Sequence, residues 1–135
     1  MKMNQRDFFT HNRQTNEAPA ARVYLAGAIE GASDGGVGWR RDLIPFLENE
    51  LGHHVHDPTS HEIEILTDEE KRLFRQWKDQ PDNWDRFRDV IRRIIRRDTD
   101  LILRETDYII AYWDEAVLGG GGTHGELTLA LLAGI

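Results

Sequence analysis

The sequence predicts an α/β protein with a parallel β-sheet, and three observations support this class. Short apolar runs typical of buried strands occur at residues 23–29 and 108–113, and the stretch at 54–58 is a further short strand candidate that ends in a proline. Longer segments with apolar residues at helical spacing separate these runs. Glycine-rich stretches follow the first and last runs, at 31–36 and 119–122, as expected where a strand passes into a loop. Strands that alternate with helices in this way pair in parallel in one sheet.

Composition limits the classes of function. The chain has 135 residues, a formal net charge of −7 and no cysteine. This length fits a single domain that buries its own core, and we expect that domain to span 21–135. The lack of cysteine excludes a disulfide framework, a thiolate metal site and a cysteine nucleophile. The negative charge disfavours nucleic acid as a partner.

The start of the chain predicts neither a membrane anchor nor a secretion signal. Residues 1–20 are polar, show no periodicity and contain no apolar signal-peptide core, so we expect a loose N-terminal tail. No apolar run in the sequence approaches the roughly 20 residues that a membrane span needs. Together these features predict a soluble, cytoplasmic protein with no membrane partner.

The helical segments follow from spacing and end signals. Apolar residues from Trp39 onward have helical spacing, and Pro45 predicts a kink or a late helix start. A polar stretch precedes Thr67, which begins a helix as an N-cap followed by acidic residues. A longer helix begins near Trp84 with an apolar stripe on one face. These signals predict two helices between about residues 67 and 97.

The end of the chain carries a last helix from about His124 to Ala133. An α/β unit would normally turn into another strand after such a helix, but the sequence stops at Ile135. We therefore expect either a short sheet or a chain that is a fragment.

A pair of carboxylates marks a candidate site. Both glycine stretches are predicted at the carboxyl ends of strands, where open α/β sheets bind ligands, and we expect them to face one crevice. Glu126 follows the second stretch, in the predicted first turn of the last helix, where the helix N-terminus favours an ionised carboxylate and suits a nucleophile. Asp98 could supply a second carboxylate, and paired carboxylates are used to cleave glycosidic bonds. The residues alone equally allow a helix-dipole partner at Glu126, a solvated acid at Asp98 and plain glycine turns.

Four stretches of this sequence form a recognisable combination: the residues at 23–29, the Arg97-Asp98 pair, the residues at 106–110 and the Gly-Thr-His-Gly-Glu segment beginning at Gly122 and continuing to Ala130. Together they resemble the nucleoside 2-deoxyribosyltransferase family. The resemblance covers about residue 22 to the end of the chain and implies that the helical region at about 60–97 is an insertion. It implies a Rossmann-like (flavodoxin-like) three-layer parallel sheet and an enzyme that cleaves or transfers at the N-glycosidic bond of a (deoxy)nucleoside or nucleotide. It implies no cofactor and no metal.

The resemblance also assigns roles to residues. It makes Glu126 the nucleophile that forms a glycosyl-enzyme, Tyr24 the hydroxyl that positions this glutamate, and Asp98 the acid that handles the leaving base. The spacing from Asp98 to Asp107 is one residue longer than usual, so Asp100 is an alternative acid. The residues expected to bind substrate are Gly27, Ala28, Ile29, Gly122, Thr123 and Trp113.

Two departures from the family pattern bear on substrate choice. Gly120 stands where transferases often carry an aspartate that contacts the base, which leaves the base open. Glu30 stands where members acting on 5′-monophosphates commonly carry an arginine, which weakens a phosphate site. The sequence also does not separate a hydrolase from a transferase.

Two other functions compete with this interpretation. The loop 119–126 also looks like the Gly-Gly-x-Gly-Thr-x-x-Glu loop of the "lonely guy" nucleotide phosphoribohydrolases, although their usual preceding proline is absent. A non-catalytic nucleotide-binding sensor would keep the same crevice.

His54 and His56 share a strand face, but without further ligands they are interpreted as exposed strand-end histidines rather than a metal site. The arginines along 84–97 are interpreted as a solvated helix face rather than a nucleic-acid surface.

The sequence further predicts a homo-oligomer. A crevice covered only by loops leaves substrate open to water, which a neighbouring subunit could exclude. The segment 67–97, rich in Trp, Phe and Ile, is the candidate interface; the alternative is that its helices pack on their own sheet. Trp39, Trp77 and Trp84 are predicted core residues.

Overall fold

The computed structural model describes residues 20–135, without the side chains of residues 61–63. The predicted N-terminal tail therefore lies almost wholly outside the described residues. The elements in chain order are β1 (Arg22–Gly27), α1 (Val37–Pro45), a π-helical turn (Phe46–Glu50), β2 (His54–His56), α2 (Pro58–Ile65), α3 (Asp68–Trp77), a 3₁₀ turn (Pro81–Asn83), α4 (Trp84–Glu105), β3 (Tyr108–Tyr112), α5 (Glu115–Leu118) and α6 (Gly122–Ala133).

The described strands form one parallel sheet in the order β2–β1–β3. In its register, Val23 lies opposite Val55 on one side and Tyr108 on the other. The central strand β1 is the most deeply buried, because neighbours cover both of its edges and helices cover its faces. The predicted α/β class with a parallel sheet is confirmed.

Side chains of β1 alternate between two core clusters on opposite faces of the sheet. Val23 and Leu25 enter a cluster with Leu47 and with half-buried residues of α1. Tyr24 and Ala26 enter a second cluster, built with α4 and α6, whose other buried members are Ile102 and Ala130. The alternation places the Tyr24 ring on the face where α4 and α6 pack.

A third core cluster joins α3 to the first half of α4. Its buried members are Leu66, Phe74, Trp77 and Val90. A capping box fixes the start of α3, because Thr67 accepts a hydrogen bond from the Glu70 N–H while the Glu70 carboxylate accepts one from the Thr67 N–H. α3 and the first half of α4 thus bury their apolar faces against each other, whereas the second half of α4 packs beneath the sheet.

Several sequence-based expectations about local structure are corrected. The polar stretch before Thr67 contains a helix, α2, because Pro58 fits the first helical position and Asp57 caps it by accepting from the Thr59 N–H. Where the sequence predicted a kink or a late helix start at Pro45, α1 instead ends at this residue and a π-helical turn follows. Trp84 was a predicted core residue but is 49% exposed, because it lies at the start of α4 beyond the edge of the third cluster.

The second glycine stretch does not directly follow a strand. The short helix α5 lies between β3 and residues 119–122, and Asp114 caps it by accepting from the Ala116 N–H. Within residues 20–135, no helix combines the length and apolar character needed to cross a membrane.

Candidate active site

The site centres on a hydrogen bond between two residues that lie 102 positions apart in sequence. The Tyr24 hydroxyl donates to Oε1 of Glu126 at 2.8 Å. Tyr24 lies on the central strand with its side chain 0% exposed, and Glu126 is half-buried on α6, which packs against β1 and β3. The contact that the family resemblance implies between these residues is present, and it fixes one oxygen of the carboxylate.

Burial changes the proton affinity of both partners. It is the main cause that raises the pKa of Glu126 from 4.5 to about 7, and the charge of Asp98 adds to the rise. The hydrogen bond from Tyr24 and the positive charge of Arg40 act in the opposite direction. Burial, followed by the charges of Glu126 and Asp98, also raises the pKa of the Tyr24 hydroxyl far above its usual value, so this group stays a hydrogen-bond donor.

The expected position and ionisation of Glu126 are both corrected. The last helix begins at Gly122, earlier than the predicted start near His124, so the carboxylate lies past the first turn. The influence of a helix N-terminus falls off within that first turn. Burial therefore dominates, and the pKa rises where the sequence predicted a readily ionised group.

The structure distinguishes the two candidate acids. Asp98 is half-buried on α4, and its charge acts on both Tyr24 and Glu126. Asp100 is exposed, and its carboxylate lies 3.6 Å from the Arg104 guanidinium. Asp98 is thus the acid that belongs to the same group as Tyr24 and Glu126.

Arg40 is a buried charge beside this group that the sequence reasoning missed. Its side chain is 0% exposed, its pKa is lowered chiefly by burial, and Tyr24, Glu126 and Asp57 are among the groups that oppose this shift. A signal for it was present, because Arg40 lies at core-facing helical spacing from Leu47, seven residues further on. An arginine at such a position needs buried acceptors.

A cavity of about 570 Å³ opens between the loop after β1 and the start of α5. It is lined by Ala28, Gly31, Ala32, Ser33, Asp34, Gly36, Trp39, Tyr112, Asp114, Glu115 and Ala116. Three of these side chains are carboxylates and none is basic. Tyr24, Asp98 and Glu126 are not among them, so the cavity does not include the buried carboxylate group.

Among the predicted substrate-binding residues, Ala28 is the one that lines this cavity. Gly27 packs its Cα close to the Trp39 ring, where an added Cβ would lie 3.0 Å from the ring, and Ile29 is half-buried in the loop. Trp113 is half-exposed, and its ring lies edge-on to His124 with centroids 4.8 Å apart.

The glycine stretch 119–122 contributes no lining residue. Gly122 is exposed at the start of α6, and Thr123 beside it is buried. The described cavity therefore does not join the two glycine loops, and α5 separates the second stretch from the end of β3 along the chain.

The structure shows no metal centre in the part of the chain that it describes. No three His, Asp or Glu residues within 20–135 lie together in a way that could hold an ion. The interpretation of His56 as exposed is wrong, because this side chain is buried and its Nε2 donates to the Glu105 carbonyl at 3.0 Å. His54 is exposed, with its ring 4.9 Å from that of His56.

No protein-family model matches the chain, and neither does a curated protein or a solved structure.

Proposed function

We propose that the protein cleaves or transfers at the N-glycosidic bond of a (deoxy)nucleoside or nucleotide, as its resemblance to the nucleoside 2-deoxyribosyltransferases implies. The observation that carries the proposal is the 2.8 Å hydrogen bond from the buried Tyr24 hydroxyl to Glu126, with the charge of Asp98 acting on both. A parallel sheet with helices against both faces of β1 is compatible with the three-layer Rossmann-like fold that we propose as the finer description.

The chemistry requires two groups with different tasks. In the first step, a Glu126 oxygen attacks C1′ of the sugar, the bond from C1′ to the base nitrogen breaks, and Asp98 donates a proton to the departing base. In the second step, water or a second base attacks C1′, its proton passes to Asp98, and the ester to Glu126 breaks. Water gives a hydrolase and a second base gives a transferase.

The raised pKa of Glu126 suits this scheme near neutral pH. A carboxyl group with a pKa of about 7 is roughly half ionised at pH 7, and the ionised fraction increases above it. Because the Tyr24 hydroxyl occupies one oxygen, the second oxygen is left to attack in a fixed direction. The predicted activity therefore rises with pH through about 7 for as long as Asp98 carries the proton that the first step requires.

Incubation with deoxynucleosides, their 5′-monophosphates and ribonucleoside 5′-monophosphates, with and without an acceptor base, tests the proposal. Release of free base indicates a hydrolase, base exchange indicates a transferase, and release from ribonucleotide monophosphates indicates the phosphoribohydrolase alternative. Thermal stabilisation without turnover would indicate a nucleotide-binding sensor.

Glu126→Gln should lower base release by several decades, since one acid–base group alone accounts for about 10²–10⁴-fold and here the nucleophile is lost. Glu50→Gln, on an exposed position of the π-helical turn, is the matched control and should leave the rate unchanged. Near-normal base release from Glu126→Gln would reject the assignment. A 2-fluoroarabinosyl nucleoside should add its sugar mass to the peptide that carries Glu126.

We also propose that the protein is a cytoplasmic homo-oligomer with the helices α3 and α4 at its interface. In support, these helices form a core of their own, and Trp84 and Ile95 of α4 remain about half exposed. Light scattering tests this proposal. A mass of 15.6 kDa retained at full activity would contradict it.

A further inference from the structure

The Arg40 guanidinium connects three backbone carbonyls at the carboxyl end of β1. Nε and Nη2 donate to the Leu25 carbonyl at 3.4 Å and 3.1 Å, and Nη2 also donates to the Gly27 carbonyl at 3.1 Å. Nη1 donates to the Gly36 carbonyl at 2.6 Å. The Trp39 ring lies 4.6 Å from the guanidinium carbon and covers it on one side. One buried side chain thus satisfies acceptors from both β1 and the turn that begins α1.

These bonds join the two ends of one loop. Gly27 ends β1 and Gly36 precedes α1, so Arg40 holds together the start and the end of the loop 28–35. This loop supplies five of the eleven residues that line the 570 Å³ cavity. The fit at its end is tight, because a Cβ on Gly36 would lie 2.2 Å from the Ala28 carbonyl oxygen and 2.5 Å from Nη1 of Arg40.

The same guanidinium lies within electrostatic reach of the buried carboxylate. Four charged or titratable groups act on it in the fold: Asp57 after β2, whose carboxylate lies 3.7 Å from Nε, Tyr24 on β1, Glu126 on α6 and Asp34 in the loop. The groups that shift the pKa of Glu126 are Tyr24, Asp98 and Arg40, and of these three only Arg40 carries a positive charge. A cation in this place favours the ionised carboxylate.

We propose that Arg40 is a positioning residue of the candidate site, which pins both ends of the cavity loop and favours the anionic form of Glu126. The inference deepens the proposed function and rests on it for the role of that carboxylate. Arg40 touches no reacting atom in this scheme and acts through the loop and through Glu126.

Two substitutions of Arg40 separate the effect of its charge from that of its hydrogen bonds, and a substitution of the neighbouring Arg41 provides the control. Arg40→Met removes both, whereas Arg40→Lys keeps a positive charge but lacks the planar fork that reaches three carbonyls. Arg41→Met is the control, because Arg41 is exposed on the same helix and pairs only with the exposed Asp42 among the ion pairs described. The readouts are a ¹³C-carboxyl NMR titration of Glu126, amide hydrogen exchange across the loop 28–35, and kcat and KM against pH.

In Arg40→Met we expect the Glu126 titration and the pH–rate profile to move upward, because the cation that favours the ionised carboxylate is removed. In Arg40→Lys we expect the titration to stay near that of the wild type, while loop amides exchange faster and KM increases by about tenfold because the loop is loosened. Arg41→Met should change none of these. If Arg40→Met does not fold, the exchange rates and the KM of Arg40→Lys decide the question.

An unchanged titration in folded Arg40→Met, or unchanged loop exchange in Arg40→Lys, would overturn the inference and show that Arg40 only fills buried space. The NMR and exchange measurements need no substrate. If they move as expected but no nucleoside is cleaved by the wild type, the proposed function fails while the positioning of Glu126 by Arg40 stands.

Discussion

Ionisation of Glu126 should cost the folded protein free energy, and Glu126→Gln removes that cost. The pKa of this group is raised from 4.5 to about 7, and each tenfold change in proton affinity corresponds to about 1.4 kcal/mol. The full cost is therefore about 3 kcal/mol, as an upper value because part of the side chain reaches solvent. The amide of the variant can still accept the hydrogen bond from Tyr24.

The sign follows from proton binding. The folded protein binds the Glu126 proton more tightly than the unfolded chain does, so wild-type stability from this group is present below about pH 4.5 and is lost as the pH rises to about 7. The uncharged variant has no such loss. The free energy of unfolding of Glu126→Gln minus that of the wild type should therefore increase by up to about 3 kcal/mol across this window and stay level above it.

Urea denaturation of both proteins at several pH values from about 4.5 to about 8.5 measures this difference, and subtraction cancels the groups that the two share. Glu50→Gln, at an exposed position, should give a nearly flat difference over the same range. A flat difference for Glu126→Gln as well would refute the reasoning that burial raises this pKa. So would a wild type that gains stability over the variant as the pH rises.

Two further substitutions test the contacts around the site. Tyr24→Phe removes the hydrogen bond that lowers the pKa of Glu126, so the pH–rate midpoint should rise by about one pH unit, and an unmoved midpoint in a folded variant would contradict this. Gly36→Ala should destabilise the fold by about 2 kcal/mol or more in chemical denaturation, because φ is 74° and the new Cβ would meet the Ala28 carbonyl oxygen at 2.2 Å. Gly35→Ala is the control, because φ is 69° but no atom lies within 4 Å of the added Cβ, so it should lower the free energy of unfolding by only about 1 kcal/mol. Equal losses in the two variants would show that the close contact at Gly36 contributes nothing.

Features set by neighbouring residues could be predicted from the sequence. The capping box joins Thr67 to Glu70, only three positions further on. The strand that ends at Gly27 is indicated by a short apolar run followed by glycines. The helix α2 was missed because its polar residues carry no apolar stripe, although the Asp57-Pro58 pair is a helix-start signal. A sequence pattern therefore predicts those features that depend only on residues close together in the chain.

The electrostatics of the site could not be read from the pattern. The family resemblance gave the pairing of Tyr24 with Glu126, but the raised pKa of Glu126 comes from burial and from the charge of Asp98 on α4, while Tyr24 on β1 and Arg40 on α1 oppose the rise. The burial of Arg40 likewise depends on carbonyls that become its acceptors only after the loop folds back onto β1. Such properties arise from tertiary packing, which a single sequence does not display.

The long helix α4 has a mechanical consequence. It runs without a break for 22 residues, about 33 Å, and takes part in both the outlying helix pair and the core beneath the sheet. Asp98 lies on α4 between Ile94 and Ile102. Ile94 packs in the third core cluster with α3, and Ile102 packs in the cluster beneath the sheet. No loop interrupts α4, so a tilt of the half that packs with α3 also moves the Asp98 carboxylate. The geometry of the site is therefore set in part by packing that lies well away from it.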